Sequence, residues 1–191
     1  MAEKEKAEAA VDELGLQIQR YVSMVLVVVP PSGYAETTLR YARSALYNVH
    51  VGTRSVSPVD ERLIKGVLQD EFQVDGKVAG ETMEPYSGLV LVGGPGALEL
   101  AGESDVLRLV REAASADKMI AAWGHSTVIL ARAGVVKGRK VTGDPSIRDD
   151  VRAAGGKFTG VQVQRDANLI TAFDDAAGLR MGREMIQIVG I

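Results

Sequence analysis

The stretch Met119-Ile120-Ala121-Ala122-Trp123-Gly124-His125-Ser126-Thr127-Val128-Ile129-Leu130-Ala131-Arg132-Ala133-Gly134 decides the fold. An apolar run with the character of a strand buried on both faces passes into a helical pattern with a single residue to make the corner. Such a corner forces backbone angles that glycine adopts freely and most side chains do not, so Gly124 fits the position. It aims the first N–H groups of the helix, and the positive end of its dipole, at the crevice beyond the sheet's carboxyl edge. Ligands of open α/β sheets bind at that edge.

Upstream, a β-branched run over 24–29 reads as a second buried strand, ended by Pro30-Pro31-Ser32-Gly33. A helix over 34–46 and a strand over 48–53 follow. Residues 72–78, with Asp75-Gly76 at their centre, read as a hairpin. A further buried strand over 88–92 stops at Gly93-Gly94-Pro95-Gly96. A helix over 104–116 opens on Ser104 as its N-cap, and 118–123 is the strand of the corner. Past a short strand at 140–142, Asp144-Pro145 opens a helix with Asp as N-cap and Pro in the first turn. Residues 161–164 and 169–172 form a hairpin, and 176–188 a closing helix. Buried strands alternating with helices predict an α/β three-layer sandwich with a mostly parallel central sheet, covered on both sides. Residues 1–20 read as an N-terminal amphipathic helix, with Val11, Leu14 and Ile18 on one stripe, and 21–191 as the main domain.

Composition narrows the function. With 191 residues the chain suits one domain with a full core. A net charge of −3 and only 5% aromatic residues argue against nucleic acid as a partner. The absence of cysteine excludes disulfides and thiolate chemistry, and two histidines are too few for a His-dominated zinc site, so no metal and no cofactor is expected. No apolar run is long enough to span a bilayer and the N-terminus lacks an apolar signal core, which makes the cytoplasm the expected location and a membrane partner unexpected.

Gly124-His125-Ser126-Thr127-Val128 departs from the hydrolase pattern G-x-S-x-G at its last position only. That elbow needs a histidine after the serine in chain order, whereas His50 lies upstream and His125 is adjacent, so a serine hydrolase is disfavoured. Ser126 reads instead as a first-turn residue that satisfies backbone N–H groups. Trp123 reads as core packing or, more sharply, as an aromatic pocket wall. Asp149-Asp150 and Asp174-Asp175 read as solvated helix ends.

The same stretch resembles the ThiJ/PfpI (DJ-one) superfamily, whose pattern is an apolar strand, A-[IV]-C-H-G, then a helix closing on A-[AG]-[LV]-[LV]-K-G-[RK]-x-V-T. Here the matching residues are Ala121-Ala122-Trp123-Gly124-His125-Ser126, then Ala131-Arg132-Ala133-Gly134-Val135-Val136-Lys137-Gly138-Arg139-Lys140-Val141-Thr142. Similarity continues in 86–96, in Pro145-Ser146-Ile147-Arg148-Asp149-Asp150 and in Asn168-Leu169-Ile170-Thr171. The resemblance implies a flavodoxin-like, class I glutamine amidotransferase-like fold and a small-molecule pocket at the elbow. It places the family's nucleophilic cysteine at Gly124, its histidine at His125, and its oxyanion-type donors at Gly93, Gly94 and the His125 N–H. The family's acidic residue falls on Glu36 with a small shift, or on Thr38 in ungapped register. Ser126 replaces a glycine, which narrows the pocket or adds a donor, and Trp123 replaces a smaller aliphatic residue. The family's glyoxalase, deglycase and peptidase-like reactions depend on the thiol, and a glycine supplies no nucleophile. The sequence reads the same whether Gly124 is native or stands in for a cysteine. Two expectations follow: a ligand-binding or regulatory protein that kept the pocket, or an enzyme using His125 and Glu36 as acid and base without a covalent step. The resemblance also implies a homodimer or larger homo-oligomer.

Overall fold

A computed structural model of the chain describes residues 10, 11, 17, 18 and 21–190. Within the N-terminal stretch, β1 (Ala10–Val11) and β2 (Gln17–Ile18) pair antiparallel, Ala10 opposite Ile18. These four residues are extended, not helical as expected. Gly15 between them weakens a helix by about 1 kcal/mol relative to alanine. The rest of the expected helix lies outside the described residues.

The β-branched run becomes β3 (Ser23–Val28), an interior strand of the main sheet, with Val25, Leu26 and Val28 wholly buried. It is followed by α1 (Glu36–Asn48) and β4 (Val51–Ser57). The expected hairpin over 72–78 is corrected. The antiparallel pair is β5 (Leu63–Lys65) with β6 (Glu71–Gln73), while β7 (Gly76–Lys77) runs parallel to the end of β4. The reason lies at Asp75, whose N–H donates to Ser55 O and whose carboxylate accepts the Ser55 N–H, both at 2.7 Å. Those two bonds hold Asp75-Gly76 against β4 and leave no hairpin turn for the dipeptide to make.

Next come β8 (Gly88–Leu91), the short α2 (Ala97–Leu100), α3 (Ser104–Ser115) and β9 (Met119–Trp123). Ser104 lies inside α3; the capping position is Glu103, with no side-chain cap. After the corner come α4 (Thr127–Ala133), β10 (Lys140–Val141), α5 (Arg148–Ala153) and β11 (Lys157–Phe158), which pairs parallel with β10. The expected hairpin forms between β12 (Val163–Asp166) and β13 (Leu169–Ala172), and α6 (Gly178–Val189) closes the chain. Asp144 does cap a turn with Pro at its start: its carboxylate accepts the Ser146 N–H at 2.8 Å.

The main sheet runs β12-β13-β9-β8-β3-β4-β7, parallel except for β12. Alternation along β9 divides the core. Ile120 and Ala122 join the layer of α2 to α5, while Met119, Ala121 and Trp123 join that of α1 and α6. The fold is therefore the α/β three-layer sandwich with a mostly parallel sheet. Strand order turns outward on both sides of the β3–β8 pair, so the switch-point crevice opens above their carboxyl ends.

Candidate functional site

Three loops meet at that crevice: 29–35 after β3, 92–96 after β8, and the corner after β9. Gly94 has φ +102°, and a Cβ there would lie 2.3 Å from Gly33 O and 2.8 Å from Ala35 N. At Gly93 a Cβ would lie 2.4 Å from Trp123 O and 2.6 Å from the indole Cδ1. The Gly93 carbonyl accepts the Ala35 N–H at 2.9 Å. These glycines are therefore required by the close approach of three backbones. Their own N–H groups have no acceptor among the described residues, which leaves them available as donors in the crevice.

The corner is built differently. Gly124 has φ +57°, the left-handed region, yet a Cβ built there meets only Phe173 O, at 4.0 Å. The backbone is strained for any L side chain and the space in front of it is open. Gly124–Ser126 form a 3-10 turn leading into α4. Ser126 is wholly buried, accepting the Trp123 N–H at 3.0 Å and donating to Leu91 O (2.8 Å) or Trp123 O (2.9 Å). It knots the strand end to the helix start. Trp123 is likewise wholly buried in the core on the α1/α6 side. Its indole N–H has no partner among the described residues.

His125 is partly exposed and lies 3.8 Å, through Nε2, from the Asp144 carboxylate. That is ion-pair range, longer than a hydrogen bond. Asp144 arrives there because its N–H donates to Gly124 O at 3.1 Å. Burial opposes its charge, but bonds from Ser146 and the field of His125 outweigh that and hold the Asp144 carboxyl below the ordinary value. Asp144 is the carboxylate that sequence reasoning missed. The turn signal Asp144-Pro145 was visible, but its proximity to His125 depends on a tertiary hydrogen bond.

Neither candidate for the acidic position hydrogen-bonds to an elbow residue among the described residues. Glu36 is 4% exposed and its carboxylate accepts the Leu68 N–H at 2.6 Å, 32 residues along the chain. Thr38 is wholly buried, its hydroxyl donating to Asp175 O at 2.8 Å. The Asp175 carboxylate caps α1 through the N–H groups of Thr37 (3.0 Å) and Thr38, a role that the solvated-end reading of Asp174-Asp175 did not foresee. The carboxylate within ion-pair distance of His125 is Asp144. Among the described residues no group of three or more His, Asp or Glu side chains could hold a metal, and no helix is long and apolar enough to cross a membrane.

Comparison with known proteins agrees with this architecture. The model of the DJ-1/PfpI family matches residues 23–188. An uncharacterized protein of Methanocaldococcus jannaschii is 27% identical over 86% of this chain and 82% of its own length. A deglycase of Pyrococcus horikoshii is 30% identical over 56% of this chain and 64% of its own length, so the chain spans less than two thirds of that relative. Among solved structures, a ThiJ/PfpI domain protein from Brachyspira murdochii superposes with a TM-score of 0.83 at 17% identity, covering 88% of this chain and 97% of that one. At such identity the superposition speaks for the fold. Since the family model covers all but the two ends of the chain, this protein belongs to the DJ-1/PfpI family.

Proposed function

We propose that the chain is a small-molecule-binding member of its family that works without covalent catalysis, with the elbow as its site. The observation that carries this reading is Gly124: a left-handed corner with open space in front of it, in a chain without a single cysteine. Around it lie the Gly93 and Gly94 N–H groups, without acceptors among the described residues, and His125. Such a site can bind an oxyanion, carbonyl or amide oxygen, but it has no thiol to form the covalent adduct that the resemblance implies for the family. Some relatives are named deglycases. By the resemblance, that chemistry needs the thiol, so no deglycase or glyoxalase turnover is expected here.

The test is a thermal-shift screen with small aldehydes, α-keto acids and amides, run beside a methylglyoxal assay. A ligand at a hundred times its dissociation constant adds about 2.7 kcal/mol of stability, which a melting curve resolves. Binding without turnover supports the reading. A second reading, a non-covalent hydratase, lyase or hydrolase, draws on the His125–Asp144 pair as an acid–base couple in place of the expected pair with Glu36. Methylglyoxal consumption that disappears in His125→Ala would favour it and overturn the first.

A further inference from the structure

A cavity of about 700 Å³ lies between α1, β4 and the β5–β6 pair, and no residue of the elbow lines it. Its deep end holds the buried Glu36, Tyr34 and Leu39; Arg43 and Tyr47 stand exposed at its mouth. Glu36, Arg40, Arg43 and Tyr47 follow one another at helical spacing on one face of α1, so that face is a cavity wall from end to end.

The charges along this wall are unequally satisfied. Arg40 is paired with Asp70 at 2.8 Å. Arg43 has no carboxylate partner among the described residues; its guanidinium lies 4.9 Å from the Phe72 ring centroid, and its Nε is 3.4 Å from Thr53 Oγ1. At the other end the Glu36 carboxylate has the Leu68 N–H as its one partner among the described residues, and no cation. A buried carboxylate with a single neutral donor is costly, and a cation brought to it would be held strongly. The chain has shaped itself to this carboxylate: a Cβ on Gly66 would fall 2.0 Å from Glu36 Oε1. Between the two ends Leu39 and the tilted Tyr34–Phe72 pair, centroids 6.0 Å apart, give an apolar and aromatic strip, with the paired Arg40 and Asp70 beside it. Arg43 lies seven positions after Glu36 on the helix, a rise of about 10 Å.

We infer that this cavity is a second ligand site, separate from the elbow, for a zwitterion bearing an ammonium group and a carboxylate at opposite ends of a short apolar chain. The ammonium meets Glu36 in the deep end, the carboxylate meets Arg43 at the mouth, and the chain lies against Tyr34, Leu39 and Phe72. ω-Amino acids and short peptides share this chemistry. The inference stands on the cavity alone and does not depend on the reading of the elbow.

The experiment is calorimetric titration of the full chain with 6-aminohexanoate and 8-aminooctanoate, with hexylamine and hexanoate as one-ended controls. Saturable binding of at least one ω-amino acid is expected, tenfold or more tighter than either control. Glu36→Gln and Arg43→Gln should each weaken it tenfold or more, and His125→Ala should bind as the wild type does. Arg43 is exposed, so its variant tests the site even if Glu36→Gln fails to fold, and circular dichroism identifies that failure. The inference is overturned if neither ω-amino acid saturates, if a one-ended control binds equally well, if Arg43→Gln binds as tightly as the wild type, or if His125→Ala abolishes binding.

Discussion

Replacing Gly124 and Gly94 separately by alanine tests how the elbow is built. Both glycines have positive φ, +57° and +102°, so conformation alone penalises alanine at each by about 1–2 kcal/mol. Alanine also restricts the unfolded chain, which returns about 0.4–1 kcal/mol. At Gly124 no further term arises, because the nearest atom to the new Cβ is Phe173 O at 4.0 Å, and the net loss should be about 1 kcal/mol. At Gly94 the Cβ falls 2.3 Å from Gly33 O and 2.8 Å from Ala35 N, both backbone atoms. The 33–35 loop must move, which strains the Ala35 N–H bond to Gly93 O, and the combined loss should exceed about 3 kcal/mol. For a domain of this size that is about 3 °C against about 8 °C or more in melting temperature. Urea unfolding, read as a midpoint shift at constant slope, measures both. Equal losses at the two positions would refute the claim that the corner has room for a side chain.

Two further outcomes are expected. Burial first, then the charges of Glu36 and Asp70, push the Tyr34 phenol up to about 12; at Tyr86, burial and then the bond to Glu81 do the same. A raised folded pKa means a contribution fully present below the unfolded value of about 10 and lost as pH rises toward about 12, at most ~2.7 kcal/mol for each. Tyr86→Phe should flatten the fall of the urea midpoint over that window; an unchanged slope would contradict the assignment. Light scattering at micromolar concentration should give twice the 20.3 kDa of one chain or a larger multiple, because Tyr41, Tyr47, Leu63, Val67 and Leu68 expose apolar surface around α1 and the β5–β6 pair. A mass of one chain over a wide dilution range would oppose this.

What could be read from residues was what local rules govern. The buried strands announced themselves as β-branched runs, and a strand passing into a helix through Gly124 placed the corner within a residue. Asp144-Pro145 opened its turn as Asp and Pro dictate. What stayed hidden depends on partners distant in the chain. Glu36 is a lone carboxylate near the expected position, but its hydrogen bond goes to Leu68, whose approach no periodicity encodes. Asp75-Gly76 has the composition of a hairpin turn, and two bonds to Ser55 override it. Asp175 caps α1 from across the sequence, and Asp144 reaches His125 only through the Gly124 carbonyl.

The central claim is that the elbow remains a nucleophile-ready corner lacking only its thiol, and Gly124→Cys tests it most directly. Its Cβ would enter the open space before Phe173, at the start of the turn into α4 and beside His125. Orphan N–H groups and a neighbouring imidazole favour a thiolate, so the rate of iodoacetamide labelling plotted against pH should report an apparent pKa below the free-cysteine value of about 8.5. An apparent pKa at or above that value would mean that the corner does not activate a nucleophile, and the account of the site would fail.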